Sequence, residues 1–240
     1  MNTIDELSKR RTILHLTQAY KKKDWDTFFI LVDGHRKQGV FGLVCDELPP
    51  LMYWETLGWI LQGESFYNEE LIRFITNEEK DLSMRYLMMS KDDRKGFKKL
   101  PNTLTVYRGQ GIDADGLGWS WTLSRDMAVY FANRFPEGEV MQGECKKSDV
   151  IAYFTGRNED EIVVPREKVL HVKSIEKTES KRIPKDSMFF KNLLPINGPN
   201  VEEIEAGLKE ARRNRGKADT MTRDIKMLDI LIDEAWKQTS

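Results

Sequence analysis

Apolar residues recur at steps of three and four through the first part of the chain. Ile13, Leu16 and Tyr20 predict a helix opened by a capping box of Thr3 with Glu6. Asp24 is placed to cap a second helix carrying Trp25, Phe28, Phe29 and Leu31. Pro49-Pro50 breaks the pattern, and LMYWETLGWIL after it reads as a buried helix. Asn68 caps a further helix through Leu71, Ile72 and Ile75, and Glu78 to Met89 predicts one more. The period then changes near Leu100-Pro101. LTVYR (104–108) is a short β-type run, and a Gly/Asp loop follows it. RDMAVYFANRF (125–135) returns to helical spacing at Met127, Ala128, Phe131 and Phe135. The β-rich stretches EVMQGEC, DVIAYFT, EIVVP and KVLHVKSIE come next, separated by turn residues. Residues 178–199 read as irregular, with Pro184, Pro195 and Pro199. Asn200 with Glu203 opens a helical tail whose stripe is Met221, Ile225, Leu228, Ile232 and Trp236.

This order predicts an α+β protein. A helical N-terminal region (1–99) precedes a mixed core (100–178), and an irregular segment with a charged helical tail (179–240) follows. Hydrophobic residues are 40% of the 240 and charged ones 32%, which suits a packed core and argues against wholesale disorder. The net charge of -1 gives no sign of nucleic-acid coating by bulk charge. A local basic cluster, KEARRNRGK (209–217), reads first as a solvated helix surface and second as a nucleic-acid contact. No apolar run reaches membrane-span length, and the chain opens without a secretory pattern. The two cysteines and three histidines form no zinc spacing. The expectation is a cytoplasmic protein that needs no metal and makes no membrane contact.

Three segments hold residues suited to chemistry. Val106-Tyr107-Arg108-Gly109 ends a strand; Trp119-Ser120-Trp121-Thr122-Leu123-Ser124 leads into a helix; Glu159-Asp160-Glu161-Ile162-Val163-Val164-Pro165 enters a strand. A planar guanidinium such as Arg108 grips phosphate oxygens in pairs. A serine hydroxyl donates to a carboxylate and fixes its rotamer. Glu159 and Glu161 are two apart, and on a strand such positions face the same way, so both reach one cleft. Other motifs fail. Gly109-x-Gly111 lacks a third glycine, and Asp113-Ala114-Asp115-Gly116 lacks the closing glutamate of a calcium loop.

In order and type the three segments resemble the Arg, Ser-Thr-Ser, Glu-x-Glu pattern of ADP-ribosyltransferases, in the branch of arginine-specific transferases and clostridial binary toxins. Ala128 and Phe131 fall where that family places alanine and phenylalanine on the next helix, and EDEIVVP matches its last motif. The resemblance covers about residues 103–175, and the layout is also similar to phage and prophage proteins with YRG and SWT segments. It implies a core of two packed β-sheets that binds NAD as substrate. It implies Glu161 as the carboxylate beside the ribose, Ser120 as its orienter and Glu159 at the acceptor, which a glutamate there makes an arginine of a protein. Arg108, Tyr107, Gly109, Trp121, Thr122 and Phe131 then line the NAD site. For Trp121 and Phe131 ordinary core packing is the first reading. The sequence departs from the family at Trp121, mid-motif, and in the short Thr155-Gly156-Arg157-Asn158 segment. Three alternatives stand: an NAD glycohydrolase, a non-catalytic phage or host-interaction protein, and a transferase acting on nucleic acid through 209–217.

Overall fold

A computed structural model of the chain describes residues 3–64, 67–112, 114, 118–156, 159–179, 198–214 and 221–239. The stretch 180–197, most of the expected irregular segment, lies outside them, as does most of Asp113-Ala114-Asp115-Gly116. The chain divides into two compact units, Met1–Leu48 with Asn192–Ser240, and Pro49–Lys191. The boundary falls at the Pro49-Pro50 break, so the helical stretch 1–99 is shared between the units.

The first unit is helical: α1 (Thr3–Lys22), α2 (Trp25–Ile30), α3 (Lys37–Val44) and, after the second unit, the helices Val201–Arg213 and Met221–Thr239. Asp24 and Asn200 cap as expected, accepting from Thr27 N and Glu203 N. Leu16, Phe28, Phe41, Leu208, Leu228 and Ile232 are buried, so the expected tail stripe packs; the side chains of Met221 and Trp236 lie outside the described residues. The basic cluster is partly internal. Lys209 pairs with Glu205, and Arg212 reaches Tyr20, Glu47 and the Leu43 carbonyl.

The second unit begins with α4 (Pro50–Gly63), α5 (Glu69–Ile75) and α6 (Lys91–Lys99). Asn68 caps α5 by accepting from Leu71 N. The helix expected over 78–89 is instead a 3₁₀ helix, Leu82–Met88, because Asp81 holds Ser83 N and Met84 N in a tight i→i+3 start. The rest is β1 (Thr103–Gly111), β2 (Ser120–Thr122), α7 (Arg125–Ala132), β3 (Glu137–Lys146), β4 (Ala152–Phe154), β5 (Glu161–Val163) and β6 (Leu170–Glu179). In chain order Val201–Arg213 and Met221–Thr239 are then α8 and α9. Because α7 ends at Ala132, Phe135 is not on its apolar face and is 42% exposed.

The α+β class stands, but two packed sheets are not found among the described residues. The strands form one antiparallel six-stranded sheet, in the order β4-β5-β2-β1-β3-β6. The physical reason is the pair Tyr107↔Thr122, which joins the half β4-β5-β2, of three-residue strands, to the half β1-β3-β6, of long ones.

Candidate functional site

The middle of the sheet sets the site. In β2 and β5, Ser120 stands opposite Val163, Trp121 opposite Ile162, and Thr122 opposite Glu161. The two-residue period puts Ser120, Thr122 and Glu161 on one face and Trp121 and Ile162 on the other. Glu161 is 9% exposed. A carboxylate so buried needs hydrogen bonds to replace its water. Its Oε1 accepts from Ser120 Oγ at 2.5 Å and from Tyr67 Oη at 3.0 Å.

Tyr67 comes from the connection before α5, next to the capping Asn68, and is buried. Burial pushes its pKa well up, and the Glu161, Glu159 and Glu64 charges push it further. It therefore stays protonated as a donor.

Arg108 lies on β1. Its Nη1 donates to the Ser120 carbonyl at 2.6 Å, and its Nε to Gln110 Oε1 at 3.3 Å. Gln110 in turn donates to Glu139 Oε1 at 3.1 Å, which fixes its amide. The Nη2 of Arg108 has no hydrogen-bond partner among the described residues. Gly118 packs closely on this guanidinium: a Cβ there would come within 2.8 Å of Nη2. Burial lowers the arginine's pKa and the Glu161 charge partly restores it. The group is a cation short of solvent, which favours an anionic ligand.

The Glu-x-Glu segment is shaped by its middle residue. Asp160 has φ 45°, its carbonyl accepts from Leu123 N at 3.0 Å, and its Oδ1 accepts from Tyr153 Oη at 2.6 Å. Thr122 Oγ1 donates to the Glu159 carbonyl at 2.5 Å. Since β5 starts at Glu161, Glu159 precedes the strand, and the same-face argument made from sequence does not apply to it. The two carboxylates nonetheless both act on the Tyr67 hydroxyl.

Ser120 and Glu161 are thus brought together side chain to side chain, with Thr122 holding the backbone beside them, and Arg108 joins them through the Ser120 carbonyl. Tyr107, Gly109 and Phe131 are not part of that hydrogen-bonded line. On β1, Tyr107 and Gly109 alternate with Arg108 and Gln110, and they face α7. A Cβ on Gly109 would fall 2.0 Å from the Ala128 carbonyl and 2.9 Å from Phe131 Cβ, so α7 packs directly on the strand there. Tyr107 packs against Ala128, Ala132 and Val140. Trp121 is 2% exposed and donates from Nε1 to the Gly118 carbonyl at 3.0 Å, so it packs in the core and holds the backbone over Arg108.

Sequence reasoning missed Tyr67, Gln110 and Tyr153. For Gln110 the two-residue spacing from Arg108 was a usable signal. Tyr67, an aromatic before an N-cap, reads as a hydrophobic staple and not as a carboxylate partner.

A cavity of about 370 Å³ opens elsewhere, between Tyr86, Phe97, Val150 and Pro165; Arg108, Ser120 and Glu161 do not line it. Among the described residues no group of three or more His, Cys, Asp or Glu is placed to hold a metal, and no helix is long and apolar enough to cross a membrane. No family model, curated protein or solved structure matches this chain.

Proposed function

We propose that this protein is a mono-ADP-ribosyltransferase, which cleaves the nicotinamide–ribose bond of NAD and transfers ADP-ribose to an arginine side chain of a protein. The observation that carries the reading is the meeting of Arg108 and Glu161 at Ser120, one at its backbone carbonyl and the other at its hydroxyl. A half-buried cation donates to the Ser120 carbonyl, and the hydroxyl of the same serine donates to a buried carboxylate, so that residues of three separate sequence motifs are joined.

These residues fit NAD. Arg108, held on its Nε and Nη1 edges, offers Nη2 to a diphosphate oxygen. Glu161 supplies a fixed negative charge where the ribose becomes positive as the bond from C1′ to nicotinamide breaks and the electron pair leaves with the base. The charge is oriented before reaction, so it costs little reorganisation when needed. An acceptor guanidinium nitrogen then bonds to C1′, and Glu159 takes the proton it sheds. The carboxylates of Glu159 and Glu64 near the Tyr67 hydroxyl make the surroundings attractive to a cationic acceptor. The reading includes an ADP-ribosyltransferase-like core and a cytoplasmic setting, host cytoplasm if the gene is phage-borne.

The test is incubation with labelled NAD in cell lysate, comparing the protein with Glu161→Gln. Loss of one transition-state electrostatic contact costs about a hundredfold or more in rate. Label on protein with wild type only, and equal folding of both by circular dichroism, supports the proposal. Nicotinamide release without label identifies a glycohydrolase with water as acceptor. No turnover by folded wild type rejects both in favour of a non-catalytic protein.

A further inference from the structure

We infer that Tyr67, which lies outside all three motif segments, is a positioning residue for Glu161: its hydroxyl and that of Ser120 clamp one carboxylate oxygen from two sides. The inference rests on the transferase reading for its kinetic consequence, but not for its geometry.

The clamp is built from parts far apart in the chain. Ser120 reaches Glu161 across the β2–β5 ladder. Tyr67 reaches it from the connection between α4 and α5, 94 positions away in sequence. Both bonds end on Oε1, so they fix the rotation of the carboxylate about its last bond. A lone serine leaves a swing about its own hydroxyl; a second donor from another direction removes it. Tyr67 is 5% exposed, so water cannot take its place readily. The backbone beside it is also held: Asn68, the next residue, caps α5.

The chemistry runs in one direction. Tyr67 keeps its proton, for burial and the surrounding carboxylates raise its pKa, and it donates and does not accept at Glu161. A donor of this kind stabilises the ionised carboxylate over the protonated one. The charged and titratable groups around the clamp are Arg108, which feels Glu161, and Glu159 and Glu64, which with Glu161 act on Tyr67. Arg108 and the two hydroxyl donors favour the charged carboxylate. Without the tyrosine hydroxyl the balance moves toward the protonated acid.

The experiment is Tyr67→Phe, which keeps the ring and removes only the oxygen. Nicotinamide release from NAD is followed against pH, beside a thermal melt. The expected result is a fall in kcat of about tenfold or more, KM for NAD within about twofold, and an acid limb of the pH profile moved upward by about one pH unit. A raised KM with kcat and pH profile unchanged would make Tyr67 a wall of the binding site and overturn the inference. So would an unchanged profile altogether. Should wild type release no nicotinamide, the functional proposal fails, and the inference is read from the carboxyl ¹³C titration of Glu161, assigned by difference from Glu161→Gln. An upward move of that titration in Tyr67→Phe upholds the clamp, and superimposable curves reject it.

Discussion

Asp160 adopts φ 45°, the left-handed region, where a residue with a Cβ is strained by about 1 kcal/mol or more. Aspartate tolerates it better than most, and here the Tyr153 hydroxyl holds its carboxylate while Leu123 N holds its carbonyl. The bend is what delivers Glu161 to the first position of β5 with its side chain on the Ser120 face. Asp160→Gly relieves the φ strain and loses the tyrosine bond, so stability should change by less than about 1 kcal/mol and nicotinamide release by a few fold. Asp160→Val cannot take this φ without strain. It should cost about 2 kcal/mol or more and lower release by over tenfold, because Glu161 moves off its donors. Thermal melts and release assays on the two variants check this. Equal behaviour of glycine and valine would show that the backbone bend does not place the carboxylate.

At the scale of elements, α6 shows how the helices are tied to the sheet. Ser90 and Asp93 form a capping box, and Asp93 Oδ1 also accepts from Thr155 N at 2.9 Å and Thr155 Oγ1 at 2.6 Å, just past β4. Asp93 is 3% exposed. Burial by itself would raise its pKa, but the bonds from Thr155 and Ser90 outweigh that and lower it. A folded-state pKa below the unfolded one contributes stability above the unfolded value of about 4, lost as pH falls through the folded value. Asp93→Ala should therefore destabilise by about 2–3 kcal/mol at pH 7, and Asp93→Asn by less, since one acceptor survives. The gap between wild type and Asp93→Asn should close on acidification below about pH 4, followed by urea unfolding. A gap independent of pH would mean the charge is irrelevant. The caps at Asp24, Asn68 and Asn200 were legible in the sequence because a cap is settled within three residues. Ser120 and Glu161 were legible as residue types in order. The bonds from Thr155 to Asp93 and from Tyr67 to Glu161 were not, since they span 62 and 94 positions and leave no periodic trace. One sheet rather than two was hidden for a similar reason, as it turns on the single pair Tyr107↔Thr122.

At the scale of the whole molecule, the first unit draws on both ends of the chain, Met1–Leu48 and Asn192–Ser240. Its core holds Leu16, Tyr20 and Phe28 from the early helices and Ile204, Leu208 and Ala211 from α8. Among them runs a polar tie: Arg212 donates to Glu47 Oε1 at 2.9 Å and to Tyr20 Oη at 3.0 Å, and Lys23 donates to Glu47 Oε2 at 2.6 Å. Burial opposes the Glu47 charge, yet the bonds from Lys23, Tyr20 and Arg212 bring its pKa down to about 2. The sign follows from that depression. Stability from this carboxylate is complete above the ordinary glutamate value of about 4.3, and is lost as pH falls toward 2. In Glu47→Gln, the amide keeps the shape but not the charge, so the acid sensitivity of this unit between about pH 4 and pH 2 should flatten. Hydrogen exchange is the fitting measurement. In wild type the peptides of α1 and α8 should lose protection together as pH falls through that window, after correction for the intrinsic rate. In the variant both should start less protected and change less. If α8 loses protection while α1 keeps it, the tie does not couple the two chain ends, and the apolar contacts between them carry the joint alone.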